Sequence, residues 1–137
     1  LAAPDGEGDV VIEITTPGGD AETARRMVLE IDLARERLGR RIVFLGKTIV
    51  YSAGTTIMGA FPKEDRFVTA EARLMIHCRQ LEKDLSLSGP IRASIPKVEA
   101  LLAQLQVGVD LEVEHFARLI EGSAISMDDL QKKALHN

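Results

Sequence analysis

Two short segments carry residue types that could support nucleophilic chemistry. Residues 51–54 read Tyr-Ser-Ala-Gly, and Ser52 among small neighbours suits a sharp turn that exposes a nucleophile. Serines at helix starts more often cap the helix, so this segment alone does not assign a role. Residues 75–78 read Met-Ile-His-Cys, and His77 at a strand end could act as general base toward a serine on a neighbouring loop. The other interpretation of His77 is a half-buried packing residue.

A third segment, Pro-Gly-Gly at residues 17–19, lies between a predicted strand and a predicted helix. Paired glycines let the backbone approach a ligand, and the N–H groups at the start of the helix could hold an oxyanion or a phosphate. The alternative is a tight strand-to-helix turn. The segment is neither a Walker motif nor GxGxxG, since no Gly-Lys-Ser/Thr closes it.

The histidines and the single cysteine do not indicate a metal site. His77, His115 and His136 lack metal-ligand spacing, and Cys78 has no partner cysteine. We therefore expect no metal, and we interpret His115 and His136, both on predicted helices, as surface residues. Cys78 cannot form an internal disulfide, which favours a reducing, cytoplasmic compartment.

The apolar pattern predicts elements whose order would bring these segments together. Strands are predicted at residues 10–14 and 42–45, with a helix over Ala21–Leu38 between them and Gly46 ending the second strand. Residues 48–60 are predicted as a strand end or loop running into a tightly packed helix. Short strands follow at residues 67–69 and 74–76. Strand, helix and strand in this order predict βαβ units and a largely parallel sheet.

The second half of the chain is predicted to be mostly helical. Two separate amphipathic helices are predicted at residues 97–106 and 111–120, followed by a last helix capped by Ser126 and ending near Leu135. Asp20 and Gly39 are the predicted caps of the first helix. We expect one α/β domain over residues 1–137 with a helical C-terminal part. Because the chain does not begin with methionine, we expect a piece before Leu1, and we leave open a further piece after Asn137.

Composition narrows the function classes. The 137 residues are 45% hydrophobic and 28% charged, as in an ordinary globular domain. A net charge of −4 argues against a nucleic-acid partner, and 4% aromatic residues argue against a stacking platform for single strands. No apolar run approaches the roughly 18–20 residues that span a bilayer, so we expect no membrane span.

The order of these motifs resembles that of Clp protease proteolytic subunits. Residues 66–77, Arg-Phe-Val-Thr-Ala-Glu-Ala-Arg-Leu-Met-Ile-His, resemble the family segment that ends in the catalytic histidine. Residues 14–19, Ile-Thr-Thr-Pro-Gly-Gly, resemble its strand followed by Ser-Pro-Gly-Gly. Ser52 lies 25 residues before His77, which is the family's interval. The Ser-Ala-Gly-Thr form is closer to the related serine-dehydrogenase-proteinase and signal-peptide-peptidase branches. The resemblance extends from residue 1 to about residue 79.

The resemblance implies roles for individual residues. Ser52 would be the nucleophile, His77 the general base, and the N–H groups of Gly19 and Ala53 the oxyanion hole. Aligning residues 126–130 with a family helix puts Asn137 at the position of the third triad member, an aspartate in the family. Asparagine can hold an imidazole tautomer but supplies no negative charge.

Other candidates for the third residue remain open. Asp128 and Asp129 are alternatives at a helix start, and so is a residue after Asn137, because family members continue with another strand. The chain departs from the family at Arg79, where the family has proline, and in the longer segment that follows His77.

The resemblance also implies a fold and an activity. We expect a ClpP/crotonase-like layered fold, and hydrolysis of peptide or unfolded-protein substrates through an acyl-enzyme without a cofactor. A homo-oligomeric ring is implied, and the family leaves room for an ATPase unfoldase partner. Two alternatives are a catalytically silent subunit or scaffold and a crotonase-type acyl-CoA enzyme. The sequence offers no convincing glutamate for the crotonase acid/base.

Overall fold

The structure, a computed structural model, describes residues 6–136 as a mixed α/β fold. The strands and helices confirm the predicted α/β class with a helical C-terminal part. In chain order they are β1 (Val10–Thr16), α1 (Ala21–Leu38), β2 (Ile42–Tyr51), α2 (Ala53–Gly59), a 3₁₀ turn (Lys63–Asp65), β3 (Arg66–Val68), β4 (Arg73–Met75), α3 (Ile91–Ile120) and α4 (Met127–Ala134).

The sheet is parallel and is organised around β2, as the βαβ order predicts. β1 pairs with one edge of β2 over most of its length. β3 and β4 follow one another along the other edge, with Phe44 opposite Arg66 and Tyr51 opposite Met75. The C-terminal ends of β2 and β4 therefore lie side by side.

The prediction that Gly46 ends the second strand is wrong. β2 runs through it to Tyr51, and a side chain at position 46 would lie 2.9 Å from Val50 Cγ2 and 3.2 Å from Val68 Cγ1. The glycine is thus required by close packing on the strand. The backbone irregularity lies at Thr48, which has a φ of 54°.

Helix α1 forms as predicted and covers the sheet. The Asp20 carboxylate accepts a hydrogen bond from the Thr23 N–H at 2.7 Å, and Gly39 ends the helix in the left-handed conformation with a φ of 57°. Its buried side chains join β2 and α2 in one apolar core, whose largest fully buried members are Phe44, Phe61, Ile42 and Val50.

The two helices predicted at residues 97–106 and 111–120 are one continuous helix, α3. Pro96 lies near its N-terminal end, where the loss of one backbone hydrogen bond disturbs few turns. Gly108 costs about 1 kcal/mol relative to alanine, which is too little to break a helix of this length.

Only the C-terminal part of α3 packs on the core. The Arg66 guanidinium donates to the carbonyls of Phe61, Arg118 and Leu119, and Arg118 in turn forms two hydrogen bonds with the Asp32 carboxylate. These contacts hold the end of α3 against both β3 and α1.

The N-terminal part of α3 leaves a row of apolar side chains exposed. The most exposed of them is Ile91, at 86%. The other exposed side chains of this row are Ile95, Val98, Leu102, Leu105, Val107 and Val109. Among residues 6–136, no helix is both long and apolar enough to cross a membrane.

Candidate active site

Ser52 occupies a strained turn between β2 and α2. Its φ of 54° and ψ of −115° lie in a region that side-chain-bearing residues rarely adopt, at a cost of roughly 1–3 kcal/mol. The Ser52 N–H donates to the Met75 carbonyl at 2.8 Å, and the Ser52 carbonyl accepts from the N–H and the hydroxyl of Thr55 at 2.9 and 2.7 Å. A strand-to-helix turn of this kind presents a nucleophile at the edge of a sheet.

The Ser52 hydroxyl does not cap α2. Its side chain makes no capping hydrogen bond, although the residue stands at the N-cap position. The interpretation of Ser52 as an ordinary N-cap is therefore wrong.

The parallel pairing of β2 and β4 places Ser52 and His77 at the same edge of the sheet. Tyr51 is opposite Met75, so Ser52 follows the paired position by one residue and His77 follows it by two. Both residues line one cavity of about 290 Å³. The predicted serine and histidine are thus brought together by the fold.

The His77 ring is oriented by a backbone carbonyl. Its Nδ1 lies 2.7 Å from the carbonyl oxygen of Cys78. A carbonyl can only accept, so Nδ1 carries the proton in this hydrogen bond and Nε2 of the neutral ring keeps its lone pair. A general base needs a ring in this state.

The glycine turn at residues 18–19 lies against Ser52. Both glycines have positive φ values, 108° for Gly18 and 151° for Gly19. A side chain on Gly18 would come within 2.8 Å of Ser52 Cβ, whereas one on Gly19 would meet nothing within 4 Å. Ala53 opens α2, where the first N–H groups have no partner within the helix. Of the two predicted oxyanion-hole residues, Ala53 directly follows Ser52, and Gly19 follows Gly18, the glycine that lies against Ser52.

The cavity also contains two ionisable side chains that the sequence analysis did not connect with Ser52. Glu112 and His115 project from α3, beside Phe116 and Leu119. The i, i+3, i+4 and i+7 spacing of these four residues on one helix face is the signal that could have found them.

The interpretation of His115 as a surface residue is wrong. His115 is half-buried and lines the cavity. Burial lowers its pKa below the ordinary value of 6.5, and the nearby Arg79 charge lowers it further. His136 is exposed beyond the end of α4, as expected of a surface residue.

Arg79 connects the cavity to α1 and α3. Its backbone N–H donates to Glu112 Oε2 at 2.5 Å, and its Nη2 donates to Glu22 Oε1 at 2.8 Å. This hydrogen bond from Arg79 is the main reason that the pKa of Glu22 is lowered. The Arg79 Nη1 is buried and has no hydrogen-bond partner among residues 6–136.

The candidates for a third triad residue do not reach this cavity in the part of the chain that the structure describes. Asn137 lies outside the described residues. Asp128 pairs with Lys132 at 2.6 Å, and Asp129 accepts from the Ser126 hydroxyl at 2.7 Å. Both aspartates stand in the first turn of α4 and are absent from the described cavity lining.

Comparison with known proteins found no matching family model and no matching curated protein. Within residues 6–136, no group of three or more His, Cys, Asp or Glu side chains is placed to hold a metal ion.

Proposed function

We propose that this chain is a serine peptidase that hydrolyses peptide bonds through an acyl-enzyme. Ser52 Oγ attacks the substrate carbonyl while His77 Nε2 takes the hydroxyl proton, and the N–H groups of Gly19 and Ala53 stabilise the tetrahedral oxyanion. His77 then gives the proton to the leaving amine as the C–N bond breaks. Water, activated by the same ring, hydrolyses the ester and restores Ser52.

The strained backbone of Ser52 carries this proposal. A conformation that costs roughly 1–3 kcal/mol persists only where its surroundings enforce it, and such sites cluster at active centres. Here the surroundings are two hydrogen bonds to Thr55, one to Met75 and the close contact with Gly18. The hydrogen bonds to Thr55 are those of an ordinary helix start, whereas the hydrogen bond to Met75 and the glycine at position 18 are particular to this turn.

The His77 ring supports the proposal independently. Its protonated Nδ1 is engaged by the Cys78 carbonyl, which leaves Nε2 as the basic atom of a ring in the Ser52 cavity. That division of roles between the two ring nitrogens is the one that a serine hydrolase requires.

The proposal extends to a ClpP/crotonase-type fold and to a homo-oligomer. The exposed apolar side chains of α3 support assembly, because contiguous apolar patches on soluble chains usually mark contacts with partners. Sedimentation equilibrium should then give a mass several times the 15.0 kDa of one chain. A monomeric mass at micromolar concentration would contradict the ring.

Cleavage of an unfolded protein tests the activity. The wild-type chain should release fluorescent peptides from a reduced, alkylated and dye-labelled protein, and Ser52→Ala should not. Ser86→Ala is the matched control, because Ser86 is exposed in the segment between β4 and α3. Equal cleavage by wild type and Ser52→Ala would refute the mechanism.

One observation favours a second candidate, a crotonase-type acyl-CoA enzyme. The Glu112 carboxylate lines the same cavity as the Ser52 turn and could act as an acid or base there. Thermal shift with acyl-CoA thioesters discriminates between the two. Saturable stabilisation by thioesters without peptide cleavage would favour this candidate, and neither binding nor cleavage would favour the catalytically silent subunit.

A further inference from the structure

One peptide group connects His77 to Glu112. The carbonyl oxygen of Cys78 accepts the hydrogen bond from His77 Nδ1 at 2.7 Å. The N–H of the same peptide group, which belongs to Arg79, donates to Glu112 Oε2 at 2.5 Å. Because the C=O and N–H of a trans peptide point in opposite directions, this group can hold a ring on one side and a carboxylate on the other.

The Glu112 carboxylate should strengthen the hydrogen bond between the Cys78 carbonyl and the His77 ring. A negative charge on the N–H side polarises the peptide group and makes its carbonyl oxygen a better acceptor, since hydrogen bonds in a chain reinforce one another. The carbonyl then stabilises the positive ring that forms when His77 takes a proton. In serine hydrolases an aspartate bound directly to the histidine fixes the tautomer and stabilises the imidazolium in this way.

We propose that Glu112 is a positioning residue for His77 and acts through the Cys78–Arg79 peptide group. This inference rests on the proposed peptidase function and deepens it. It assigns the negative charge to a residue of α3, which lines the cavity, whereas Asp128 and Asp129 are absent from the described cavity lining.

The other ionisable groups around this connection do not supply the same charge. The Arg79 guanidinium is paired with Glu22, and Asp20 is engaged by Thr23. Burial and then the Glu112 charge raise the pKa of the Cys78 thiol, which therefore stays protonated. Burial keeps His115 neutral. The side chains that α4 packs beside this segment, Met127, Leu130 and Ala134, are uncharged.

The pH profile of Ser52 labelling by a fluorophosphonate tests the proposal. Glu112→Gln keeps an acceptor for the Arg79 N–H but removes the charge. We expect the labelling rate of Glu112→Gln at pH 7 to fall roughly tenfold, which is a fraction of the 10²–10⁴-fold rate enhancement that general base catalysis supplies. We also expect the midpoint of its pH profile to move to lower pH. Glu99→Gln, the same change at an exposed site on α3, should match wild type.

The outcomes separate this proposal from the function on which it rests. Labelling of wild type at Ser52 with an unchanged rate and profile in Glu112→Gln would overturn the role of Glu112 alone. No labelling of wild type would overturn the peptidase function and this proposal with it.

A second measurement needs no variant of Glu112. Nitrogen-15 shifts of the histidine rings in the wild-type chain, assigned with His77→Gln, report which nitrogen of His77 carries the proton. A proton on Nδ1 supports the connection, and a proton on Nε2 alone would overturn it, because the Cys78 carbonyl would then have no donor.

Discussion

The backbone N–H of Ser52 donates to the carbonyl oxygen of Met75 at 2.8 Å, across the ends of β2 and β4. This hydrogen bond joins the turn that carries the candidate nucleophile to the strand that leads into His77. Because both strands run parallel, the contact fixes the two side chains at one edge of the sheet. The proximity of Ser52 and His77 therefore depends on strand pairing rather than on nearness along the chain.

Relieving the strain at Ser52 should stabilise the fold and abolish activity. We expect Ser52→Gly to raise the free energy of unfolding by about 1 kcal/mol, since glycine tolerates positive φ but loses more backbone entropy on folding. Ser52→Ala is the matched variant, because it removes the hydroxyl but keeps the strained Cβ. Urea unfolding measures both. Equal stability of the two variants would show that the turn stores no strain.

For Ser52 labelling, the close approach of Gly18 to Ser52 should matter more than the positive φ of Gly18. Gly18→Ala would place a methyl group 2.8 Å from Ser52 Cβ, so we expect Ser52 labelling to fall at least tenfold together with a loss of stability. Gly8→Ala is the control, because its φ of 92° is similar and nothing lies within 4 Å. It should lose about 1–2 kcal/mol of stability and keep labelling. Full labelling of Gly18→Ala would refute the contact.

His115 should make the fold sensitive to mild acid. Its pKa is lowered in the folded chain, so the unfolded chain binds more protons below pH 6.5 and the free energy of unfolding falls as pH drops toward the folded pKa. Between pH 7.5 and 5.5, we expect Tm to fall further in wild type than in His115→Gln. Asp20 and Glu22 stay ionised in this range because their pKa values are lowered from 3.8 and 4.5.

The exposed His136 provides the control for this measurement. His136→Gln should follow wild type through the same pH range. A His115→Gln curve that is parallel to wild type would mean that burial of His115 does not contribute to acid sensitivity.

Arg66 should be a main anchor of α3. Its guanidinium donates to the carbonyls of Phe61, Arg118 and Leu119, and charge-assisted hydrogen bonds contribute roughly 1.5–3 kcal/mol each where buried. Since these hydrogen bonds are only part-buried, we expect Arg66→Met to lower the free energy of unfolding by about 2–4 kcal/mol in total. Lysine should not rescue it, because it lacks the planar fork. Arg73→Met, at an exposed site, should change stability little, and an equal loss there would contradict the assignment.

Features set by local chemistry could be predicted from the sequence. The caps at Asp20, Gly39 and Ser126 form as predicted, because a capping side chain or a left-handed glycine acts within a few residues. The alternation of strands and helices was sufficient for the parallel sheet, and hence for placing Ser52 and His77 at one edge.

Features set by packing between distant segments could not be predicted. Gly46 looks like a strand end until Val68 is seen packed against it, and Pro96 and Gly108 look like helix ends although α3 continues through both. Glu112 and His115 lie more than thirty residues after His77, and only the packing of α3 over α2 brings them into the cavity.

Fluorophosphonate labelling of the wild-type chain, with the adduct located by mass spectrometry, tests the central claim most directly. We expect one adduct on Ser52 in wild type and none in Ser52→Ala. In His77→Ala we expect the labelling rate to be lower by about 10²–10⁴-fold, because general base catalysis contributes a rate enhancement of that size. His136→Ala should label like wild type. A folded wild-type chain that is not labelled at Ser52, or a His77→Ala variant labelled at the wild-type rate, would contradict the account.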